Sequence, residues 1–145
     1  MKTMRAPNFK AGWIIFKKIA GLTHFHADIS PEDIDGVYAA SEALLRSTNT
    51  KFHLIMDNRQ APMHALSTLE EMQSYAPLLQ HPLLSYVLII KPLHLPLEEK
   101  DKGLQESKGV ALKYVDSVEE AVSFLMNLEV LSVEEIFNVK SFFYV

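Results

Sequence analysis

The chain has 145 residues, of which 48% are hydrophobic and 22% are charged, and its net charge is −4 at neutral pH. A chain of this length and composition can bury a hydrophobic core and is not intrinsically disordered, and its acidic balance argues against a nucleic-acid-binding protein, which normally presents a basic face. Because it contains no cysteine, disulfides and thiolate metal sites are excluded, and because it has no apolar run of about 20 residues, we expect a cytoplasmic protein without membrane insertion.

The first third of the chain predicts a β-hairpin and a helix. Strands are expected over 13–19 and 23–29, because polar and apolar residues alternate in the second of them as they do in a half-buried strand. The helix is expected over 30–47. It begins with Ser30 as N-cap and Pro31 in the first turn, two residues that are favourable at these positions.

The middle of the chain predicts two buried strands and two helices. Residues 52–56 and 84–90 are continuous apolar runs, which are typical of strands covered on both faces of a sheet. Between them, Ser67 and Glu70 have the spacing of a capping box, so a helix is expected to begin there. A weaker, charged helix is expected over 97–106.

The last third predicts a strand over 110–115 and two further helices. The first helix begins after Asp116-Ser117, and a last turn of helix is expected from Ser132, which has a glutamate three residues later. The aromatic-rich tail, residues 139–145, has three interpretations: an additional edge strand, a cover over a groove, or a contact with a second subunit.

These elements follow one another in the order ββαβαβαβα. Strands that alternate with helices indicate an α/β fold, in which crossover connections place the strands parallel. We therefore predict a single, mainly parallel sheet with packing helices, to which the opening hairpin adds an antiparallel pair. Neither a repeat nor a linker divides residues 1–145, so they are expected to form one domain.

The main candidate site follows the strand over 52–56. Asp57, Asn58 and Arg59 come at its carboxyl end, where open α/β sheets bind their ligands. The alternative is that Asp57 anchors the loop through hydrogen bonds to backbone amides, as aspartate does in turns. His64 lies further along the same loop, and an enzyme with an unrecognised site would use Asp57, Arg59 and His64.

Two further sets of candidates are an anion site and a metal site. Ser67 or Thr68 at the helix start could accept a phosphate, or their amides could hold an anion beside Arg59, although an ordinary N-cap needs the same residue types. His24 and His26 share one face of the predicted second strand and are weak candidates for metal ligands, the alternative being two exposed histidines. Because the chain has no glycine-rich phosphate loop, no cofactor is predicted.

The order of elements resembles that of the SpoIIAA-like, or STAS, family of small bacterial proteins, which includes anti-sigma-factor antagonists. The local resemblance lies in the strand that ends at Asp57 and in the segment Asp116-Ser117-Val118-Glu119-Glu120-Ala121. It covers residues 12–128 and leaves 129–145 as a C-terminal extension. The family's architecture is related to that of lipid-exchanging CRAL-TRIO domains.

The resemblance implies a fold and a partner-binding surface. Antagonists of the family carry a phosphorylatable serine directly after the aspartate, whereas here Asp57 is followed by Asn58-Arg59-Gln60-Ala61-Pro62 and the next hydroxyl group is that of Ser67, so the phosphorylation switch is not carried over. We predict a non-enzymatic bacterial domain that binds a protein partner, for example in regulation, and that forms a homodimer through its apolar tail. The alternatives are a module for a small apolar ligand or lipid, in a groove beside the 97–106 helix, and the enzyme described above.

Overall fold

The computed structural model describes residues 8–63 and 65–144, which form an α/β fold with one mixed six-stranded sheet and four α-helices. The strands are β1 (Lys10–Ile15), β2 (Ile19–Thr23), β3 (Phe52–Asp57), β4 (Leu84–Ile90), β5 (Gln105–Ser107) and β6 (Val110–Val115). The helices are α1 (Pro31–Ser47), α2 (Leu69–Gln73), α3 (Val118–Leu128) and α4 (Val133–Phe143), and short 3-10 turns cover Pro77–Gln80 and Glu99–Asp101. Within these described residues, no helix combines the length and the hydrophobicity that crossing a membrane requires.

The sheet has the strand order β1-β2-β3-β4-β6-β5. The pairs at its centre, β2–β3, β3–β4 and β4–β6, are parallel, and the pair at each edge is antiparallel. The α/β class predicted from the sequence is therefore confirmed, whereas the expected mainly parallel sheet describes only the centre of a mixed one.

Helices cover both faces of the sheet. Successive side chains of a strand point to opposite faces, so Leu54 of β3 packs in a core with residues of α1 and α2, while its neighbour Ile55 packs with residues of α3 and α4. Strands β3 and β4 are largely buried on both sides, which explains their continuous apolar sequences. The strands predicted over 84–90 and 110–115 are confirmed, and so is the first predicted helix.

The opening hairpin lies earlier in the chain than predicted, since β1 and β2 replace the expected strands over 13–19 and 23–29. The hairpin turn contains Lys17, which has a φ of 60°. Strand β2 is paired on both sides and buried on both faces, so its sequence is mostly apolar and lacks the alternation of a half-exposed strand. The alternating pattern that predicted a strand therefore lies in the loop that follows β2.

That loop, residues 24–28, is held by the side chain of Asn8. The amide oxygen of Asn8 accepts hydrogen bonds from the backbone N–H groups of Phe25 and His26, at 3.0 and 2.9 Å. Its amide nitrogen donates to the carbonyl oxygens of His26 and Asp28, at 2.7 and 3.0 Å. A buried polar side chain from a distant part of the sequence therefore satisfies backbone groups that a strand would have paired with a neighbouring strand.

The helix predicted over 97–106 does not form. The segment contains a 3-10 turn at Glu99–Asp101 and then β5, which pairs with β6 in a hairpin whose turn is made by Lys108 and Gly109, with φ angles of 53° and 80°. The segment has no apolar stripe for a helix to bury, and Gly103 would weaken a helix further. The observed order of elements is therefore ββαβαβββαα, which corrects the predicted order.

The C-terminal segment forms α4, which packs on the sheet of its own chain. Ser132 caps this helix, as predicted. Val139, Phe142 and Phe143 are buried in the core beneath α3 and α4. The tail is therefore not an edge strand, and its buried side chains are not available for the symmetric contact on which the expected homodimer was based. The last residue, Val145, lies outside the described residues.

Helix α4 packs closely against β2 at Gly21. A Cβ atom at this position would lie 2.7 Å from Ile14 Cδ1 and 2.7 Å from Phe142 Cε1, so the packing of the helix requires a glycine here. Lys10 of β1 adds a second contact, because its Nζ donates to the carbonyl oxygen of Phe142 at 3.4 Å and lies 4.2 Å from the centre of the Phe142 ring. The opening hairpin and the last helix are thus packed directly against each other.

Candidate functional site

The carboxyl ends of β2 and β3 meet at a buried carboxylate. Asp57, the last residue of β3, is 3% exposed, and its Oδ2 accepts a hydrogen bond of 2.8 Å from the hydroxyl group of Thr23, its partner in β2. Arg59 donates to the same carboxylate through Nε and Nη2, each at 2.9 Å, and through its backbone N–H at 3.1 Å. Asp57 therefore anchors the loop that follows β3, which is the alternative that its position in the sequence left open.

Arg59 connects this carboxylate to the end of α4. Its Nη2 also donates a hydrogen bond of 2.7 Å to the carbonyl oxygen of Phe143, one of the carbonyl groups that a helix C-terminus leaves without an intrahelical donor. The hydrogen bond with Asp57 raises the pKa of Arg59 above its ordinary value, so the guanidinium group stays charged. Arg59 thus joins the carboxyl end of β3 to the C-terminus of α4.

A cleft of about 330 Å³ opens beside Arg59, and we call it the Arg59 cleft. Its walls include Phe25, Gln60 and Tyr144 as well as Arg59 and Asp57. The hydroxyl group of Tyr144 donates a hydrogen bond to the carboxylate of Glu119, which raises the pKa of Tyr144 and lowers that of Glu119. The cleft therefore combines one cation with aromatic walls, one of which is the residue that follows α4.

A second, apolar cavity of about 440 Å³ lies on the opposite face of the sheet, and we call it the α1 groove. It is formed by α1, by the carboxyl ends of β2 and β3, and by residues 75–79. Three large side chains in its walls, Ile34, Tyr38 and Tyr75, keep 47%, 50% and 58% of their surface exposed. The helical spacing of Ile34, Val37 and Tyr38 predicts a buried face, but in the structure these residues line an open groove.

The structure separates the other predicted binding residues. The backbone N–H of Asn58 donates to the carbonyl oxygen of Ile90 at 3.0 Å and so holds the loop to β4. Ser67 lies on the α1–α2 face, away from Arg59, and its carbonyl oxygen accepts a 2.5 Å hydrogen bond from the hydroxyl group of Tyr114. His64 lies outside the described residues.

The predicted helix start is displaced by one residue. The N-cap of α2 is Thr68, whose hydroxyl oxygen accepts from the backbone N–H of Glu71 at 3.2 Å, and not Ser67 with Glu70. Because α2 is only five residues long and its cap is occupied by Glu71, the structure gives no support to an anion site at this helix start.

The candidate metal ligands do not converge. His26 is exposed in the loop after β2, while the Nδ1 of the half-buried His24 lies 3.2 Å from the carbonyl oxygen of Asn8. His53, the nearest histidine in the neighbouring strand β3, contacts Glu129 at the end of α3. In the part of the chain that the structure describes, no group of three or more potential ligands is close enough to hold a metal ion.

His53 is a buried titratable group with one satisfied nitrogen. Its Nε2 lies 3.1 Å from Oε1 of Glu129, and its Nδ1 is buried without a hydrogen-bond partner among the described residues. Burial lowers the pKa of His53 from its ordinary value of 6.5, and Lys18 lowers it further, although the contact with Glu129 acts in the opposite direction. The neutral ring is therefore the form that the folded protein favours.

We expect the free energy of unfolding to fall as the pH is lowered from above 6.5 through the pKa of folded His53. The physical reason is that the unfolded chain binds this proton more readily than the folded chain, so acid favours unfolding. Urea denaturation at pH 8 and pH 5 checks this, with His53→Gln expected to lose less stability than the wild type over the same interval. The control is His26→Gln, which changes an exposed histidine and should retain the wild-type difference; an unchanged pH dependence in His53→Gln would refute the assignment.

Comparisons of the chain with protein-family models, with curated proteins and with solved structures find no match. The functional interpretation therefore depends on the geometry and chemistry of the residues described above.

Proposed function

We propose that this protein is a non-enzymatic, SpoIIAA/STAS-like domain that binds a small apolar ligand in the α1 groove. The observation that carries the proposal is the groove itself, whose volume of about 440 Å³ is in the usual range of ligand sites. Its lining is predominantly apolar, with a few polar groups such as those of His24 and Ser41. Such a combination is typical of a site that binds by burial and orients its ligand with few hydrogen bonds.

The relation to SpoIIAA-like domains is part of this proposal. It is supported by the opening hairpin, by a strand that ends at Asp57 and by a helix that begins after Ser117. The family's phosphorylation switch is not proposed, because Asp57 is followed directly by Asn58 and Arg59, and the guanidinium group of Arg59 binds the aspartate where the family has a serine. The proposed domain is cytoplasmic, like the members that it resembles.

We expect the binding free energy to come from burial of the half-exposed apolar side chains that line the groove. A ligand that removes roughly 200 Å² of apolar surface from water gains about 5 kcal/mol from that burial alone. Loss of ligand freedom offsets part of this gain, and burial of the ligand's own apolar surface adds to it. We therefore expect dissociation constants on the order of micromolar for apolar molecules that fit the groove.

A neutral apolar fluorophore, N-phenyl-1-naphthylamine, tests this proposal directly. Its fluorescence should rise on titration with the wild-type protein and saturate at one site. Ser41→Trp places a large side chain on the groove-facing side of α1 and should weaken binding by about tenfold or more, since it fills space that the ligand needs. The matched control is Ser123→Trp, the same change on the exposed side of α3. No saturable binding to the wild type, or equal binding to Ser41→Trp, would overturn the proposal.

A second candidate function, binding of a protein partner, is favoured by apolar side chains at the loop between α3 and α4 and on α4. Val130 in that loop is 93% exposed, and Val133 and Phe137, four residues apart on one face of α4, are 85% and 67% exposed. The proposed partner is a second copy of the chain. Native mass spectrometry should then show a dimer that Phe137→Glu dissociates, and a monomer at every concentration would contradict this second candidate.

A further inference from the structure

The α1 groove and the Arg59 cleft share a border at the carboxyl edge of the sheet. His24, the first residue after β2, lines both cavities, although they lie on opposite faces. The loop after β3 borders both as well, because Gln60 lines the cleft and Pro62 lines the groove. A flexible ligand that occupied both cavities would have to pass over this edge between the two loops.

The Arg59 cleft offers a hydrogen-bond donor that the protein itself does not use. Nε and Nη2 of Arg59 bind Asp57, and Nη2 also binds the carbonyl oxygen of Phe143. The remaining amino group, Nη1, makes no hydrogen bond to any residue that the structure describes. Arg59 lines the cleft and its side chain is 27% exposed, so Nη1 is the donor that Arg59 has left for a ligand there.

The charges around the cleft define which head group suits this donor. Asp57 offsets the charge of Arg59, and Glu119 lies behind Tyr144, so the cleft has no strong net positive field. Binding of an anion there depends on a charge-assisted hydrogen bond from Nη1, which favours a small, planar acceptor such as a carboxylate. Bulky or multiply charged anions would meet the two carboxylates of the protein.

We infer that the ligand is a single-chain amphiphile with a carboxylate head, whose chain lies in the α1 groove and whose head accepts a hydrogen bond from Arg59 in the cleft. This inference rests on the proposed function, because it requires the groove to bind a chain. It adds the chemical class of the ligand and a second subsite on the other face of the sheet.

Competition between two ligands of equal chain length tests the inference. Decanoate and 1-decanol are titrated at pH 8 against the bound naphthylamine fluorophore, and decanoate should displace it at about tenfold lower concentration, as a hydrogen bond to a charged group implies. Gln60→Glu adds a negative charge to the cleft without touching the Asp57–Arg59 pair. Gln60→Glu should weaken the binding of decanoate by about fivefold and leave the binding of decanol unchanged. Gln60→Lys should strengthen the binding of decanoate.

Asn49→Asp is the matched control, because it makes the same amide-to-acid change on the exposed turn before β3, at the opposite end of the strand. Asn49→Asp should change the affinity for neither decanoate nor decanol. If the fluorophore binds but decanol competes as well as decanoate, or if Gln60→Glu weakens both alike, the carboxylate subsite is wrong and the apolar site stands. If the fluorophore does not bind at all, the proposed function fails, and the inference fails with it.

Discussion

Replacement of Phe143 by alanine is expected to lower the free energy of unfolding by about 4 kcal/mol. Phe143 is 2% exposed, and its ring packs at 4.9 Å, centre to centre, on that of Phe142 in the core beneath α3 and α4. Removing the ring leaves a cavity where the last helix meets the sheet, and the surrounding core can close it only in part. Urea denaturation monitored by circular dichroism gives the difference.

The control for Phe143→Ala is Phe137→Ala in the same helix. Phe137 is 67% exposed in the single chain, so at a concentration at which the protein is monomeric its truncation should change the free energy of unfolding by no more than about 0.5 kcal/mol. Both variants make the same change in a helical position, so the contrast between them measures burial. Equal losses in the two variants would show that α4 is not packed on its own sheet as described.

Replacement of Asp57 by asparagine is expected to cost about 3 kcal/mol of folding free energy, near the lower end of the range for breaking a buried ion pair. The variant keeps the shape of the side chain but removes the charge that Arg59 faces through two side-chain hydrogen bonds. We expect a loss near the lower end of that range because the Arg59 side chain is 27% exposed, so that solvent can partly compensate its charge. The same urea denaturation measures the loss.

The matched control is Glu42→Gln, which makes the same carboxylate-to-amide change in the exposed pair of Glu42 and Arg46. A pair of this kind contributes at most about 0.5 kcal/mol. Adding Arg59→Met to Asp57→Asn should cost less than the sum of the two single changes, because the uncompensated guanidinium is then gone. Additive losses would mean that the two side chains do not act as a pair.

Short-range signals account for the elements that were predicted correctly. Ser30 and Ser132 begin helices at the predicted positions, since a cap depends on residues that lie within three positions of it. The segments over 84–90 and 110–115 are strands that are largely buried on both faces, and their mostly apolar sequences reflect that burial. At the start of α2 the sequence contains two overlapping capping boxes, and local reasoning could not choose Thr68 over its neighbour.

The features that the sequence did not reveal depend on contacts between distant residues. The loop after β2 depends on Asn8, and Arg59 binds a carbonyl group 84 residues further along the chain. Neither contact has a local pattern. Their position in the sequence suggested Asp57 and Arg59 as site residues, because ligands bind at the carboxyl ends of strands in open α/β sheets. The position could not show that the two side chains bind each other. The α1 groove was also unforeseen, since a helical apolar face is normally covered.

The contact between the opening hairpin and the last helix sets an order of events during synthesis. Lys10 and Phe142 are 132 residues apart in sequence, and Gly21 has Phe142 as its neighbour in space. At a translation rate of about 10 residues per second, the hairpin waits on the order of 10 s with one face uncovered before α4 has been made. The apolar residues of the hairpin that α4 covers therefore stay without that cover during this interval, and we expect the nascent chain to bind chaperones until residues 133–143 emerge.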